Sequence, residues 1–377
     1  MSEVYAGAVD RGLEGVIACK TAISSIVDTT LCFRGYTIED LAKNSSFEEV
    51  AFLLWNNRLP KANDLENFRN SLSRNMKLPG ELVEQLQKLP TQGVHPMAWL
   101  RTGISMLSLW DREAQDDSDE ARHNVAMRLI AQVATLVALF ERTRQGQSYM
   151  EPQADKSIAW NFLYMLTGQE PDEETVHVFD VCLILHADHE LNCSAFASRV
   201  TSSSLSDIYS AVTSAIGALK GPLHGGANEQ VMRMLKDIGT VEGATQWVKE
   251  ALAQKKKIMG FGHRVYKNGD PRAKILSGMS QAITKKTGQS HWYEMSKVIH
   301  NTVESEKGLL PNVDFYSATV YYSLGIPLDL YTPIFAASRV SGWLAHIFEQ
   351  YSNNRIYRPR GEWTGKEGLH WVPVSQR

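Results

Sequence analysis

The chain has 377 residues, 43% hydrophobic and 21% charged, enough for a substantial core divided into two or three domains. A formal net charge of −3 gives no electrostatic reason to bind nucleic acid or an acidic membrane. Cys19, Cys32, Cys182 and Cys193 have neither metal-site spacing nor the density of a disulfide scaffold, which predicts reduced thiols in a cytoplasmic protein.

Helical patterning dominates the chain. Residues 1–10 show no basic stretch leading into an apolar run, so no signal peptide is expected. Residues 16–33 alternate enough to predict one small hairpin ahead of Arg34-Gly35-Tyr36. No strand–helix alternation of a doubly wound sheet follows it. The acidic run at 111–120 (DREAQDDSDE) reads as a solvated connection. Residues 125–142 and 175–186 predict helices, the second apolar nearly all round and therefore buried. Residues 206–220 predict a helix capped by Ser206 or Asp207 and stopped at Gly221-Pro222. Its Ala211, Ser214, Ala215, Gly217 and Ala218 make a small-residue face for a closely approaching helix, within the subunit or across a dimer. The weakly charged stretch 318–338 is broken by Pro327, Asp329 and Pro333, which argues against a membrane span.

Three segments carry the chemistry. His224 in Gly221-Pro222-Leu223-His224-Gly225-Gly226 follows a helix stop, where its ring can donate into a cleft that glycine leaves open. His263 in Met259-Gly260-Phe261-Gly262-His263-Arg264-Val265-Tyr266 sits on a glycine-flexed loop with Lys255, Lys256, Lys257 and Lys267, which suits an anionic cofactor. The dinucleotide fingerprint fails there because Val265 occupies the third glycine position, and residues 361–366 (GEWTGK) have the wrong spacing for a P-loop. Asp314 in Pro311-Asn312-Val313-Asp314-Phe315-Tyr316-Ser317 is held at a turn or helix cap, where partial desolvation strengthens a carboxylate as a base. Two histidines and a carboxylate of this kind point to acid–base chemistry at a carbonyl. Arg272, Arg339 and Arg358 are bidentate carboxylate binders if the fold brings them together. His186-Ala187-Asp188-His189-Glu190 offers an alternative metal site with two histidines one helical turn apart, although without HExxH spacing.

In order, Phe33-Arg34-Gly35-Tyr36, Asp188-His189-Glu190, the three segments above, Asp270-Pro271-Arg272, Ser338-Arg339-Val340-Ser341-Gly342-Trp343 and Arg358-Pro359-Arg360 resemble the citrate synthase family through most of the chain. The resemblance implies a nearly all-α, two-domain homodimer with a small N-terminal hairpin. Residues 1–224 and 325–377 would form the large domain, and residues 225–324 a small domain closing over the substrates. It implies condensation of acetyl-CoA with oxaloacetate, then thioester hydrolysis, with acetyl-CoA as co-substrate and no permanently bound cofactor or metal. Asp314 would take the methyl proton, His224 would donate to the thioester oxygen and His263 would polarise the ketone. His189, Arg272, Arg339, Phe335 and a partner-reaching Arg358 would hold oxaloacetate. Lys257, Met259, Gly260, Phe261, Gly262, Lys267 and Asn312 would meet CoA.

The motifs equally fit 2-methylcitrate synthase, which uses propionyl-CoA, since one methylene shifts binding by only about 1–3 kcal/mol. The Gly-Pro-Leu-His form and residues 343–350 look more like citrate synthases of the shorter bacterial and archaeal type, which favours acetyl-CoA. A metal-dependent hydrolase using His186 and His189, or a catalytically silent paralogue, are the readings from other classes. The short stretch before Gly12 leaves little room for the region that resembles NADH-binding domains in longer relatives, so a dimer without that control is expected.

Overall fold

The computed structural model describes residues 11–13, 15–27, 29–263, 265–266 and 268–377. Two residues of the basic loop, Arg264 and Lys267, lie outside the described residues, so the expected CoA contact of Lys267 does too.

The predicted hairpin forms, with a third short strand. Strand β1 (Ser24–Val27) pairs antiparallel with β2 (Thr30–Phe33), which pairs with β3 (Tyr36–Thr37). Alternation buries Leu31 and Phe33 and leaves their neighbours half-exposed.

Among the described residues, helices make up the rest of the regular structure. The first seven are α1 (Ile38–Asn44), α2 (Phe47–Asn56), α3 (Ala62–Asn75), α4 (Gly80–Gln87), α5 (Pro96–Leu107), α6 (Asp119–Arg144) and α7 (Ile158–Thr167). Then come α8 (Glu173–His186), α9 (Cys193–Ser203), α10 (Ile208–Leu219), α11 (Ala227–Ile238) and α12 (Ala244–Ala253). The last four are α13 (Pro271–Lys286), α14 (Ser290–Lys307), α15 (Val313–Ser323) and α16 (Tyr331–Ser352). Side-chain caps start many of them: Ser118 accepts from Ala121 N, Asp172 from Thr175 N and Asn192 from Ala195 N. Asp207, rather than Ser206, caps α10.

Helices α6 and α16 are the buried axes. Helix α6 is long and apolar enough to cross a membrane by composition, but 83% of its apolar window is buried among other helices of the protein. It packs on α3, α5, α7 and α16, which cover its broad apolar face. Helix α16 lies against α2, α6, α8, α9 and α10. Helices α11 to α15 pack chiefly on one another. The small-residue face of α10 meets α9 within the chain, where Thr201 Oγ1 donates to Ser214 Oγ at 2.8 Å.

The acidic run departs from expectation. Asp111 is not solvated: its side chain is 7% exposed, grips Arg128 through two hydrogen bonds of 2.9 Å and accepts from Tyr209 Oη at 2.5 Å. Asp119 and Glu120 form the first turn of α6, where negative charge favours the helix N-terminus. The run is a mixture of core ion pair, loop and helix start, which a count of charges cannot separate.

Gly342 marks a close approach in the core. A Cβ there would lie 2.4 Å from Asp188 Oδ1 and 2.5 Å from the Ala187 carbonyl oxygen, both outside α16. Alanine normally stabilises a helix interior over glycine by about 1 kcal/mol. Here the sign reverses: Gly342→Ala should destabilise by roughly 1–3 kcal/mol through overpacking. A lowered urea midpoint with an unchanged m-value is the expected result.

Candidate active site

Four chain segments converge. The first is the turn after α8. The helix stops at His186, so His186 and His189 do not share a helical face, contrary to the metal-site expectation. His186 Nδ1 hydrogen-bonds the Cys182 carbonyl at 2.7 Å, while His189 Nε2 meets Tyr266 Oη at 3.1 Å. Their protein partners therefore differ. Among the described residues, no three His, Cys, Asp or Glu side chains converge on a metal position.

The second segment is the face of α16 that covers this turn. Arg339 is 1% exposed, donates Nε–H to the His186 carbonyl at 2.6 Å and lies over the Phe335 ring at 4.6 Å. Phe335 itself stands edge-on to His186, with ring centroids 4.8 Å apart.

The third segment joins the 260–272 loop to the start of α15. Phe261 and Pro311 form an antiparallel bridge; Gly262 N donates to Leu310 O at 3.0 Å and Asn312 N to Gly260 O at 2.9 Å. Gly260 has φ 81°, and a Cβ there would sit 2.8 Å from Val231 and 2.9 Å from Phe315, so the crossing needs glycine. Phe261 turns its ring inward onto Phe315 at 4.6 Å, leaving its backbone to meet any ligand. Asn312 caps α15 by accepting from Asp314 N at 3.0 Å, and its Nδ2 donates to Gly262 O at 2.9 Å. Asp314 is thus a first-turn helix residue, as the capping alternative anticipated. Asp270 binds Arg272 through two hydrogen bonds of 2.9 and 2.8 Å and also accepts from Val313 N at 3.0 Å. That carboxylate ties the arginine to the helix carrying Asp314.

The fourth segment carries His224. Its Nε2 lies 3.2 Å from the Ser194 backbone N–H and 2.8 Å from Ser194 Oγ, which in turn accepts from Trp343 Nε1 at 3.0 Å. A backbone amide only donates, so Nε2 holds a lone pair and the imidazole proton resides on Nδ1. The same logic applies to His263, whose Nδ1 accepts from Val265 N at 3.0 Å and Tyr266 N at 3.3 Å, leaving the proton on Nε2. His263 stands 5.2 Å from the His189 ring.

Electrostatics bind the four segments into one site. Burial, followed by the charge of Arg339, pushes His224 down to about 4. Burial and then Arg272 lower His263, and burial with both arginines holds His189 well below its ordinary value. The imidazoles are neutral at pH 7. Asp314 moves the other way: burial raises it, Arg272 pulls it down and Asp270 pushes it up, leaving it at about 6. Desolvation wins over the arginines. Burial lowers Arg339 to about 10, whereas Asp270 more than offsets burial and keeps Arg272 raised.

The site thus gathers His189, His224, His263, Arg272, Arg339, Phe335 and Asp314. Lys257 is exposed yet close enough to act on Asp314; Met259, Gly262 and Asn312 are half-buried along the same loop crossing. Arg358 is exposed beyond the end of α16, and among the described residues no hydrogen bond or ion pair joins it to these side chains. A cavity of about 610 Å³, walled by Val16, Glu190, Leu191, Cys193 and Phe196 among others, opens one residue from both His189 and Ser194. Sequence reasoning missed Ser194 and Tyr266 as partners of the histidines. Ser194 has no spacing signal, because packing brings it in; Tyr266, Trp343 and Asp270 stood inside recognised motifs without an assigned task.

Imidazoles kept neutral beside a carboxylate kept basic define a mostly helical enzyme of acid–base chemistry. A family model for the citrate synthase C-terminal domain matches residues 12–360. Citrate synthase 2 of Bacillus subtilis is 56% identical, covering 97% of this chain and 99% of that one. 2-Methylcitrate synthase 1 of Corynebacterium glutamicum is 41% identical, covering 98% of both. Among solved structures, citrate synthase from Pyrobaculum aerophilum aligns with a TM-score of 0.91 at 40% identity, over 98% of this chain and 95% of the other. The ternary complex of Thermoplasma acidophilum citrate synthase with carboxymethyl coenzyme A and oxaloacetate aligns at 0.90 with 30% identity, over 98% and 100%. This chain belongs to the citrate synthase family.

The shifted Asp314 makes a stability prediction. Its folded value of about 6 lies above the ordinary 3.8, so the folded state loses stability as pH rises from about 4 to 6 and stays penalised above that. Asp314→Asn removes the penalty. It should raise unfolding free energy by about 1–3 kcal/mol at pH 7–8, with the gain vanishing below about pH 4. Denaturant titrations at several pH values measure it.

Proposed function

We propose that the chain condenses acetyl-CoA with oxaloacetate and hydrolyses the resulting thioester to citrate and CoA. The observation that carries this reading is the pairing of a desolvated Asp314 carboxylate with two neutral imidazoles whose donor nitrogens are assigned by backbone amides. Asp314 takes a proton from the thioester methyl carbon while His224 Nδ1–H stabilises the charge growing on the thioester oxygen. An ordinary aspartate is too weak for this step; a raised pKa and a preorganised donor share the work. The carbon then attacks the ketone of oxaloacetate, polarised by His263 Nε2–H, and that proton stabilises the new alkoxide. Water cleaves the citryl thioester. Arg272, Arg339 and His189 bind the carboxylates, with Phe335 backing Arg339. Lys257 and the backbone from Met259 to Gly262, with Lys267 and Asn312, meet CoA, and the cavity beside Leu191 and Cys193 has room for part of its arm.

Acetyl-CoA is preferred over propionyl-CoA on this reading, because the 56%-identical relative carries the citrate synthase name. Free-thiol release with oxaloacetate and each acyl-CoA tests this: higher kcat/KM for propionyl-CoA moves the assignment to 2-methylcitrate synthase. Asp314→Ala and His224→Ala should each lower kcat by at least about 10²–10³. In the wild type, kcat/KM should fall as pH drops through about 6, where Asp314 gains a proton and ceases to be a base.

Residues 225–324 are proposed to close over oxaloacetate, shielding the activated carbon from solvent protons. The active form is a homodimer in which Arg358 completes the second copy's pocket. Ile356, Trp363, Leu369 and Trp371 are exposed on the segment that carries it, an apolar surface suited to another subunit. Mixing inactive Asp314→Ala and Arg358→Ala chains should restore about a quarter of wild-type activity, since half of the dimers would be hybrids with one complete site. Absence of any recovery, with subunit exchange verified, removes the cross-subunit assignment. The free thiols of Cys19, Cys32, Cys182 and Cys193 suit the cytoplasm.

A further inference from the structure

One stripe of α16 grips the turn that presents His189. Phe335, Arg339, Gly342 and His346 recur at i, i+4, i+7 and i+11, a single helical face. Phe335 and Arg339 hold His186, as described above. Gly342 donates its N–H to the Ala187 carbonyl at 3.1 Å. His346 Nε2 meets Asp188 Oδ2 at 3.3 Å. The stripe therefore runs residue by residue along 186–188.

Asp188 is fully buried, an expensive place for a carboxylate. Ser24 Oγ donates to the same Oδ2 and accepts the N–H of Glu190 at 2.8 Å. Glu190 has φ 48°, so the backbone bends sharply just beyond His189 and is pinned there by Ser24. The remaining oxygen, Oδ1, has no protein hydrogen-bond partner.

His346 meets Asp188 as a hydrogen-bond donor and is the leading group that favours its ionised form. Arg199 Nη1 lies 3.2 Å from His346 Nδ1, and a guanidinium only donates. Nδ1 is therefore an acceptor, and Nε2 carries the proton given to Asp188. Arg199 is itself satisfied by Glu349 at 2.6 Å and Gln350 at 3.2 Å. Arg339, one turn before Gly342 on the same face, is the fully buried cation that Asp188 serves; half-buried Arg34 feels the same carboxylate after Glu349. Asp188 is the leading charge that supports the protonated form of Arg339 against burial. Among the described residues, Arg339 donates through Nε, and no hydrogen bond engages its two terminal nitrogens.

We propose that Asp188 is a positioning residue of the oxaloacetate pocket: from behind Arg339 it balances the guanidinium, leaving its terminal nitrogens for a substrate carboxylate. Through Ser24 and His346 it also fixes the turn that orients His189. The assignment rests on the proposed citrate synthase reaction, which the wild type's own turnover tests separately; variants are then compared with an active wild type.

The experiment is steady-state kinetics of Asp188→Asn, Ser24→Ala and His346→Gln from pH 6 to 10, with oxaloacetate binding followed by calorimetry and folding by thermal unfolding. Asp188→Asn should raise the oxaloacetate KM and Kd about tenfold or more, with the acetyl-CoA KM within about twofold. Losing the anion also makes Arg339 easier to deprotonate from its value near 10, so the alkaline fall in oxaloacetate affinity should shift to lower pH. Ser24→Ala keeps the charge and should weaken oxaloacetate binding without moving that limb. His346→Gln, which retains a donor, should recover most of the wild-type affinity, whereas His346→Leu should not. A lower melting temperature with unchanged oxaloacetate binding and an unmoved alkaline limb would overturn the proposal by making Asp188 purely structural. If Asp188→Asn does not fold, the decision passes to Ser24→Ala and His346→Leu: unchanged oxaloacetate binding in both overturns it, and selective weakening in both supports it.

Discussion

Two guanidinium groups taken out of water set the terms for the rest of this site. Arg272 and Arg339 are each 2% exposed or less, and a buried charge must be offset locally or it destabilises the fold by several kcal/mol. The two are offset differently. Arg272 is locked to Asp270 in a bidentate pair that also anchors the start of α15. Arg339 has one carbonyl, an aromatic face and a more distant carboxylate behind it. The first arginine is structurally saturated at one edge, whereas among the described residues no hydrogen bond engages the terminal nitrogens of the second.

Burial first, and their positive field second, set the protonation of the groups nearby. Burial alone would disfavour the imidazolium forms of His189, His224 and His263; the arginines add to this and make the three rings reliable neutral groups at pH 7. For Asp314 the two effects oppose one another, and burial exceeds the attraction of Arg272 and Arg339. The outcome is a carboxylate that is still mostly ionised at neutral pH yet more basic than one in water. On the proposed mechanism these are the states required: donors that are not already acids, and a base strong enough to reach a carbon-bound proton.

The scaffold supports this by close backbone approach rather than by a large number of polar contacts. Gly342 lets α16 touch the 187–188 backbone, and Gly260 lets the 260–262 crossing lie on Val231 and Phe315. Backbone amides then assign the histidine tautomers, at Ser194 for His224 and at Val265 and Tyr266 for His263. A main-chain donor cannot rotate its proton away, so the reactive nitrogen of each ring is determined by the fold.

Much of this was legible in the sequence. Apolar periodicity located the cores of α6, α8 and α10, and the alternation of residues 16–33 located the hairpin, because helix and strand periods are local properties of the chain. His224, His263 and Asp314 stood out because each lies beside glycine, proline or asparagine residues that break regular helix, and the ordered motifs pointed to the family. Tertiary structure alone decided the rest. Asp111 is a core ion-pair partner rather than a solvated charge because Arg128 and Tyr209 happen to meet it there. His186 and His189 part company because α8 ends between them. Ser194, Tyr266 and the Asp188–His346 contact join residues 30 to 158 positions apart. Local pattern specifies which face of an element is buried, but the partner of a buried polar group is chosen by packing across the chain, and so are the pKa values that follow from it.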